Sequence, residues 1–263
     1  MSESVRAWHP EVGPVREVLH ARFEEHAYPP HTHDTWTVLL IDDGAVDYSL
    51  DRSPHRAAPA SVTLLPPHVP HDGRSAERGR FFRKRVLYLA PEWLPPESVG
   101  AALRNPSTAS AAVLRTLHQI HRAVLTPSRA LEAEGAVWML GDQVRAAFGS
   151  TQPTTTDNPL ARRLRSLLDD HLTDSLTIEG AATTLRTHPA HLTRAFSLAY
   201  GISPHRYLVG RRIDLARQLL LAGHSAASAA ARSGFHDQSH LTRHFKRTLG
   251  TTPGAFAASG RRA

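Results

Sequence analysis

Cysteine is absent from all 263 residues, so the chain has neither disulfides nor thiolate ligands for a metal. No apolar run approaches the roughly 20 residues of a membrane span, and the first residues lack a basic-then-apolar leader. Both absences lead us to expect a soluble, cytoplasmic chain with no membrane partner. Motifs of catalysis are missing too: no phosphate-cradling glycine loop, no Ser-His-Asp order and no paired-carboxylate site stands out. What is there is an ordinary globular composition, 41% hydrophobic and 21% charged, on a chain long enough for two domains with real cores.

A phrase occurs twice. His191-Leu192-Thr193-Arg194-Ala195-Phe196 returns 49 residues later as His240-Leu241-Thr242-Arg243-His244-Phe245, and each copy is followed by Gly-x-(Ser/Thr)-Pro, at Gly201 to Pro204 and Gly250 to Pro253. Such a repeat is one supersecondary unit built twice. The leucine and phenylalanine, four residues apart, share the buried side of a helix, while Thr-Arg between them points elsewhere. Residues 177–185 and 225–233 read as short helices preceding each phrase, with turns leading into helices that start near Pro189 and Asp237. Ala182 and Ala230 let the crossing helix come close, and Gly234 can take the positive φ of a tight turn. Between the units, Ser203 and Pro204 open a helix running to about Leu221, with Leu208, Leu215 and Leu219 along one side, and Gly223 ends it. The result is two helix-turn-helix heads on one spacer.

Residues 159–258 resemble the double helix-turn-helix domain of AraC-family transcription regulators. The resemblance rests on Gly234-Phe235-x-Asp237-Gln238-Ser239-x-Leu241-x-Arg243-x-Phe245-Lys246-Arg247 followed by Gly250-x-Thr252-Pro253. The first unit departs from the family pattern: Arg186 stands where glycine is usual in the turn, and His188 where a capping serine is usual. The second unit's first helix, Ala226 to Ala231, is nearly all alanine, so it forms easily but buries little apolar area, and we expect that unit to be the less stable. The resemblance implies a DNA-binding activator that contacts RNA polymerase. The missing cysteine excludes the thiol alkyl-acceptor chemistry of DNA-repair proteins that are similar to this family.

Charge agrees. Residues 159–263 hold 15 Lys plus Arg against 6 Asp plus Glu, a net +9, while residues 1–158 hold 16 against 18, a net −2. A basic C-terminal part is the electrostatic footprint of binding to double-stranded DNA. The outward positions are Ala190, His191, Thr193, Arg194 and Ser197 in the first recognition helix, and Gln238, Ser239, His240, Thr242, Arg243 and Lys246 in the second. Arg194 and Arg243 are the leading base readers, since arginine can bond guanine O6 and N7 together, and Gln238 can address adenine. Lys246, Arg247 and Arg211 or Arg212 are expected to hold phosphates.

Ser150 to Asn158 is polar and without helical period, and reads as a linker over 150–158; Pro159 then opens a helix whose Leu160, Leu164, Leu167 and Leu168 share a face. The expected fold is therefore α+β in two domains: an N-terminal β-barrel over about 15–90 with a helical hairpin over about 106–148, within a domain spanning 1–149, and an all-α C-terminal domain over 159–258. In the barrel, Thr37 to Ile41 is an apolar run, Asp42-Asp43-Gly44 a turn signal, and Val46, Tyr48 and Leu50 alternate on a return strand. Val62 to Leu65 leads into Pro66-Pro67-His68-Val69-Pro70-His71.

This spacing resembles the cupin-like effector domain of the same family, implying a small-molecule effector and a pocket to which His31, His33, Trp36, Tyr48 and His71 contribute, with Arg83 or Arg85 as partners for a carboxylate or phosphate. His31 and His33 point the same way on an extended segment, and His71 can complete a three-nitrogen face for zinc or iron. Against this, Thr37 stands where the cupin metal pattern wants a glutamate, and with 18 histidines in the chain clusters arise by chance. The alternatives are that the histidines hydrogen-bond an effector or close the barrel.

Val113, Leu117, Ile120 and Val124, then Val137, Leu140, Val144 and Phe148, step at helical spacing on either side of Thr126-Pro127. These helices can pack on the chain's own barrel or on a second copy, and the family resemblance favours a homodimer on paired DNA half-sites. Two functions follow: a ligand-responsive transcription regulator, and, as the alternative, a metal-dependent cupin enzyme with a DNA-binding appendage.

Overall fold

Alternating burial and tight corners build the N-terminal half. The structure, a computed structural model, describes residues 3–77, 79–149, 158–174 and 176–260; apart from Asn158, the expected linker lies outside the described residues. The strands are β1 (Ser4–Trp8), β2 (Val15–Phe23), β3 (Ala27–His31), β4 (Trp36–Asp43), β5 (Val46–Leu50), β6 (Ser53–Ala57), β7 (Val62–Leu65), β8 (His71–Ser75), β9 (Phe82–Leu89) and β10 (Ser107–Thr108). They form a six-stranded sheet in the order β1-β2-β9-β4-β7-β10 and a four-stranded sheet in the order β3-β8-β5-β6. No strand of one sheet pairs with a strand of the other among the described residues, so the expected barrel is an open pair of sheets.

The expected hairpin between the strands around Gly44 is not formed. Strand β4 carries β7 and β9 on its two edges, and β5 pairs with β6 and β8 in the other sheet. Gly44, at φ +70°, turns the chain through a corner between sheets, and a Cβ there would sit 2.5 Å from the Phe81 carbonyl oxygen. The alternation on β5 is as read: Val46, Tyr48 and Leu50 are buried.

Strand β4 is buried on both faces. Leu39 and Ile41 face the space between the sheets, while Trp36, Val38 and Leu40 join a second core with the helices α2 (Ala111–Ala123) and α3 (Ala130–Phe148). Val113, Leu117, Ile120, Val137 and Leu140 are completely buried there, so the hairpin's apolar face is satisfied by its own domain. A short helix, α1 (Ser98–Arg104), which sequence reading left out, precedes it.

The C-terminal half comprises α4 (Pro159–Asp170), α5 (Ile178–Thr184), α6 (Pro189–Tyr200), α7 (Pro204–Leu221), α8 (Ala226–Arg232), α9 (Gln238–Leu249) and α10 (Pro253–Gly260). Their starts are capped: Ser203, as expected, and also Asn158, Thr177, Ser225 and Asp237 each accept a bond from a first-turn amide. His188 does the same work through Nδ1, 3.2 Å from the Ala190 amide. Arg186 holds the left-handed turn that glycine takes in the second unit, at φ +52° against +78° for Gly234.

The two units differ in what they pack on. The first closes its own core, with Leu164, Ala182, Leu192, Phe196 and Tyr207. The second shares one continuous cluster with the sandwich, in which Ala230, Phe235, Leu241, Phe245 and Phe256 join Phe23 and Tyr88. The unit built on the alanine-rich helix α8 thus shares its apolar cluster with the other domain through α9 and α10, and α10 docks on β1, where the Ala7 amide donates to Ser259 Oγ at 3.0 Å.

Candidate functional site

The repeat places its polar faces outward. Leu192, Phe196, Leu241 and Phe245 have no exposed surface, whereas Ala190, His191, Arg194, Gln238, Ser239, Arg243, Lys246 and Arg247 are exposed. Thr193, His240 and Thr242 are half-buried. Thr242 Oγ1 donates back to the Gln238 carbonyl at 2.8 Å, and the His240 ring lies 5.3 Å from that of Phe235, so these two side chains are partly committed to their own helix. Both recognition helices end at left-handed glycines, Gly201 and Gly250.

On the spacer α7, Arg211 and Arg212 are engaged within the protein rather than offered to phosphates. Arg211 pairs with Asp34 at 3.0 Å and with Asp169 at 3.0 Å, and Arg212 donates to the Leu172 carbonyl at 2.8 Å and to that of Asp174 at 2.9 Å. The side of α7 turned inward matches the leucine stripe read from sequence only at Leu208, which is buried: Leu215 and Leu219 are half-buried, and Ile213, Asp214, Ala216, Arg217 and Leu220 are buried. Arg217 bonds Glu17 on β2 at 2.6 Å with its guanidinium 4.3 Å from the Tyr88 ring, and Asp214 meets His33 at 3.0 Å. Burial raises the Asp214 carboxyl to about 6, with Arg217 and Arg211 pulling the other way. These contacts cross between the sandwich and the DNA-binding heads.

His31, His33 and His71 come together as expected, all buried, with ring centroids 4.5 to 5.2 Å apart. Burial pushes all three imidazoles down, His71 to about 4. Tyr48 lines the same chamber with Thr37, Tyr28 and Lys84, and Leu249 from the end of α9 closes it. The free volume is about 50 Å³, room for an ion or a water molecule.

Trp36 does not belong to this chamber. It lies on the other face of β4, bonds the Pro91 carbonyl at 3.2 Å, and walls a separate cleft of about 560 Å³ between the domains. That cleft is lined by His68, Pro70 and Leu103 on one side and by Arg162, Arg165 and Tyr200 on the other. Arg83 and Arg85 also point away from the histidines: Arg85 forks onto Asp42 on the outer face.

Sequence reading missed Lys84, Glu17, Asp214 and Arg217. Lys84 follows the inward register of Phe82, Val86 and Tyr88, and that alternation is the signal that could have found it. It lies 4.0 Å from the Tyr28 ring, and burial lowers its ammonium to about 7. Asp214 and Arg217, three residues apart on the apolar side of a helix, carried a similar signal.

Comparison with known proteins agrees with this geometry. Residues 13–141 match the AraC-like ligand binding domain family, and residues 181–259 match a helix-turn-helix domain family. YbfI of Bacillus subtilis (strain 168), an HTH-type transcriptional regulator, is 26% identical over 232 residues, 81% of each chain. The HTH-type transcriptional activator RhaS of Klebsiella pneumoniae (strain 342) is 24% identical over 256 residues, 89% of each chain. Among solved structures, ToxT from Vibrio cholerae O395 superimposes with a TM-score of 0.60 at 14% identity, covering 98% of this chain and 97% of that one. An unsaturated fatty acid-bound ToxT from strain SCE256 gives the same score over 100% and 97%. The relatives are transcription regulators, and the enzyme alternative is not kept. With a ligand-binding sandwich ahead of a doubled helix-turn-helix unit, the chain belongs to the AraC family of transcription regulators.

Proposed function

We propose that this regulator binds specific duplex DNA through α6 and α9, set on α7 so as to enter successive major grooves about 34 Å apart. The observation that carries this reading is the doubled arginine: Arg194 and Arg243 stand exposed at the same place in both repeats, each between a leucine and a phenylalanine that are fully buried. They read bases, with Gln238, while Lys246 and Arg247 hold phosphates. Ala190, His191, Thr193, Ser239, His240 and Thr242 complete the two contact faces.

The effector is a small molecule that occupies the cleft beside Trp36 rather than the histidine chamber, because 560 Å³ suits such a ligand and 50 Å³ does not. The cleft joins the sandwich to α4 and to the end of α6, so a ligand there has different contacts when the domains separate. The fatty acid bound by ToxT supports a small-molecule ligand for this architecture. Activation, which would act through RNA polymerase, follows the activator role named for RhaS. Leu131, Trp138 and Met139, exposed on α3 while its other face is buried, form the contact of a homodimer working on DNA in the cytoplasm.

The test is fluorescence anisotropy with duplexes tiled across the gene's upstream region at physiological salt. Wild type is expected to bind one tile tightly. In Arg194→Ala/Arg243→Ala the preference for that tile disappears while weak, salt-sensitive binding persists. Equal loss on specific and random duplexes would overturn the base-reading roles.

A further inference from the structure

One ring nitrogen of each of His31, His33 and His71 lies within 4.8 Å of those of the other two. Nδ1 of every ring is already committed. His31 Nδ1 is 2.7 Å from the Pro29 carbonyl, His71 Nδ1 is 3.0 Å from the Val69 carbonyl, and His33 Nδ1 is 3.0 Å from Asp214 Oδ1. Carbonyl and carboxylate oxygens only accept, so Nδ1 carries the proton in each ring and Nε2 is left with its lone pair. Acceptors behind the rings that fix tautomer and orientation are what metal-ligating histidines need. A histidine that merely fills a core needs no such agreement among three rings.

Two further observations fit an ion. Thr37 Oγ1 lines the same chamber, buried and without a hydrogen-bond partner, an orphaned hydroxyl that the remaining coordination of an ion would satisfy. The chamber's free volume also matches an ion rather than an organic ligand. Three imidazoles without thiolate select the zinc, cobalt and iron class over calcium or magnesium.

The unusual part is the origin of one acceptor. Pro29 and Val69 belong to the sandwich, but Asp214 belongs to the spacer helix of the DNA-binding heads. It is held by Arg211 at 3.6 Å and Arg217 at 3.5 Å, and these same arginines reach Asp34 and Glu17 of the sandwich.

We propose that His31, His33 and His71 bind one divalent transition-metal ion, and that Asp214 is its positioning residue contributed across the domain boundary, so that metal affinity depends on the spacer being docked. By linkage, the ion in turn stabilises the docked arrangement by the same factor. The proposal deepens the regulator reading and rests on it for the meaning of docking alone.

Cobalt(II) is the probe. The full chain, stripped with a chelator, is titrated with Co²⁺ while its visible absorption is followed, and Zn²⁺ is then added in competition. One Co²⁺ per chain is expected, displaced by Zn²⁺, lost in His31→Gln and in His71→Gln, and bound roughly 10- to 100-fold more weakly by Asp214→Asn. Circular dichroism checks that each variant folds. Absence of uptake by wild type, or uptake that survives both histidine substitutions, overturns the site. Unchanged affinity in folded Asp214→Asn overturns the coupling. Arg211→Met, which loosens the docked spacer without touching a histidine, is expected to weaken uptake too, and unchanged affinity there overturns the coupling even if Asp214→Asn does not fold. No DNA enters the measurement, so its failure leaves the DNA-binding reading standing.

Discussion

Arg186 and Gly234 occupy the same turn of the two repeats and show how a single residue sets local strain. At φ +52° Arg186 carries a Cβ in the left-handed region, where L-residues lose about 1–2 kcal/mol relative to the right-handed one. Gly234 has no such cost, and a Cβ there would meet Arg212 Nε at 2.9 Å and the Leu172 carbonyl at 3.0 Å. Arg186→Gly is expected to stabilise the chain by about 1 kcal/mol, the relief of strain being partly offset by the extra freedom of glycine in the unfolded state. Gly234→Ala is expected to destabilise it by more than that. Urea unfolding midpoints measure both, and a lower midpoint for Arg186→Gly would mean that the arginine's own contacts outweigh its backbone strain. The family pattern made this turn legible in the sequence, because it sets glycine where the first unit has Arg186. Lys84 was not legible in the same way. Sequence reading took Arg83 or Arg85 for the pocket instead, and the alternation with Phe82, Val86 and Tyr88 on β9 is what turns the cation between them inward.

At the scale of the element, α7 is two things at once: a spacer between reading heads and the wedge that seats them on the sandwich. Its start, caps and length were legible from Ser203, Pro204 and Gly223, since these depend on local chemistry. Its buried face was not. A leucine stripe is the reasonable guess for a helix, but here the partner surface carries Glu17 and Asp34, and the helix answers with Arg217 and Arg211. A buried ion pair adds little when both partners are compared with apolar substitutes, yet breaking it on one side is costly. Arg217→Met, which leaves Glu17 buried without its counter-ion, is therefore expected to cost about 3–5 kcal/mol. Glu17→Gln/Arg217→Met should recover a large part of that loss. A double-mutant cycle by urea unfolding decides the matter, and additive losses would mean that the two side chains are not coupled across the interface.

At the scale of the whole molecule, the net +9 of the C-terminal part overstates the surface available to phosphate, because Arg211 and Arg217 are spent on the sandwich. The apolar bookkeeping runs the same way. The first helix-turn-helix unit closes a core of its own, while the second shares a cluster with the space between the sheets, reaching Phe23 through the end of α9 and β1 through α10. Sequence reading caught half of this: alanine-rich α8 predicts a unit short of buried area, but not where the shortfall is made up. Marginal packing implies a local opening free energy tied to the partner that completes it. Hydrogen exchange of the full chain should then protect α8 and α9 in step with the sandwich strands and α5 and α6 independently of them. Phe23→Ala, which removes a buried ring that packs on the sandwich side of this shared cluster, should lower protection in α8 and α9 while sparing α5 and α6. If both units lose protection equally, the C-terminal domain opens as one body and α7 transmits the loss. If neither does, the second unit stands on its own core. The expected outcome, loss confined to the second unit, makes the sandwich a structural part of one reading head, so that anything altering the sandwich near Phe23 alters how firmly Arg243 is held.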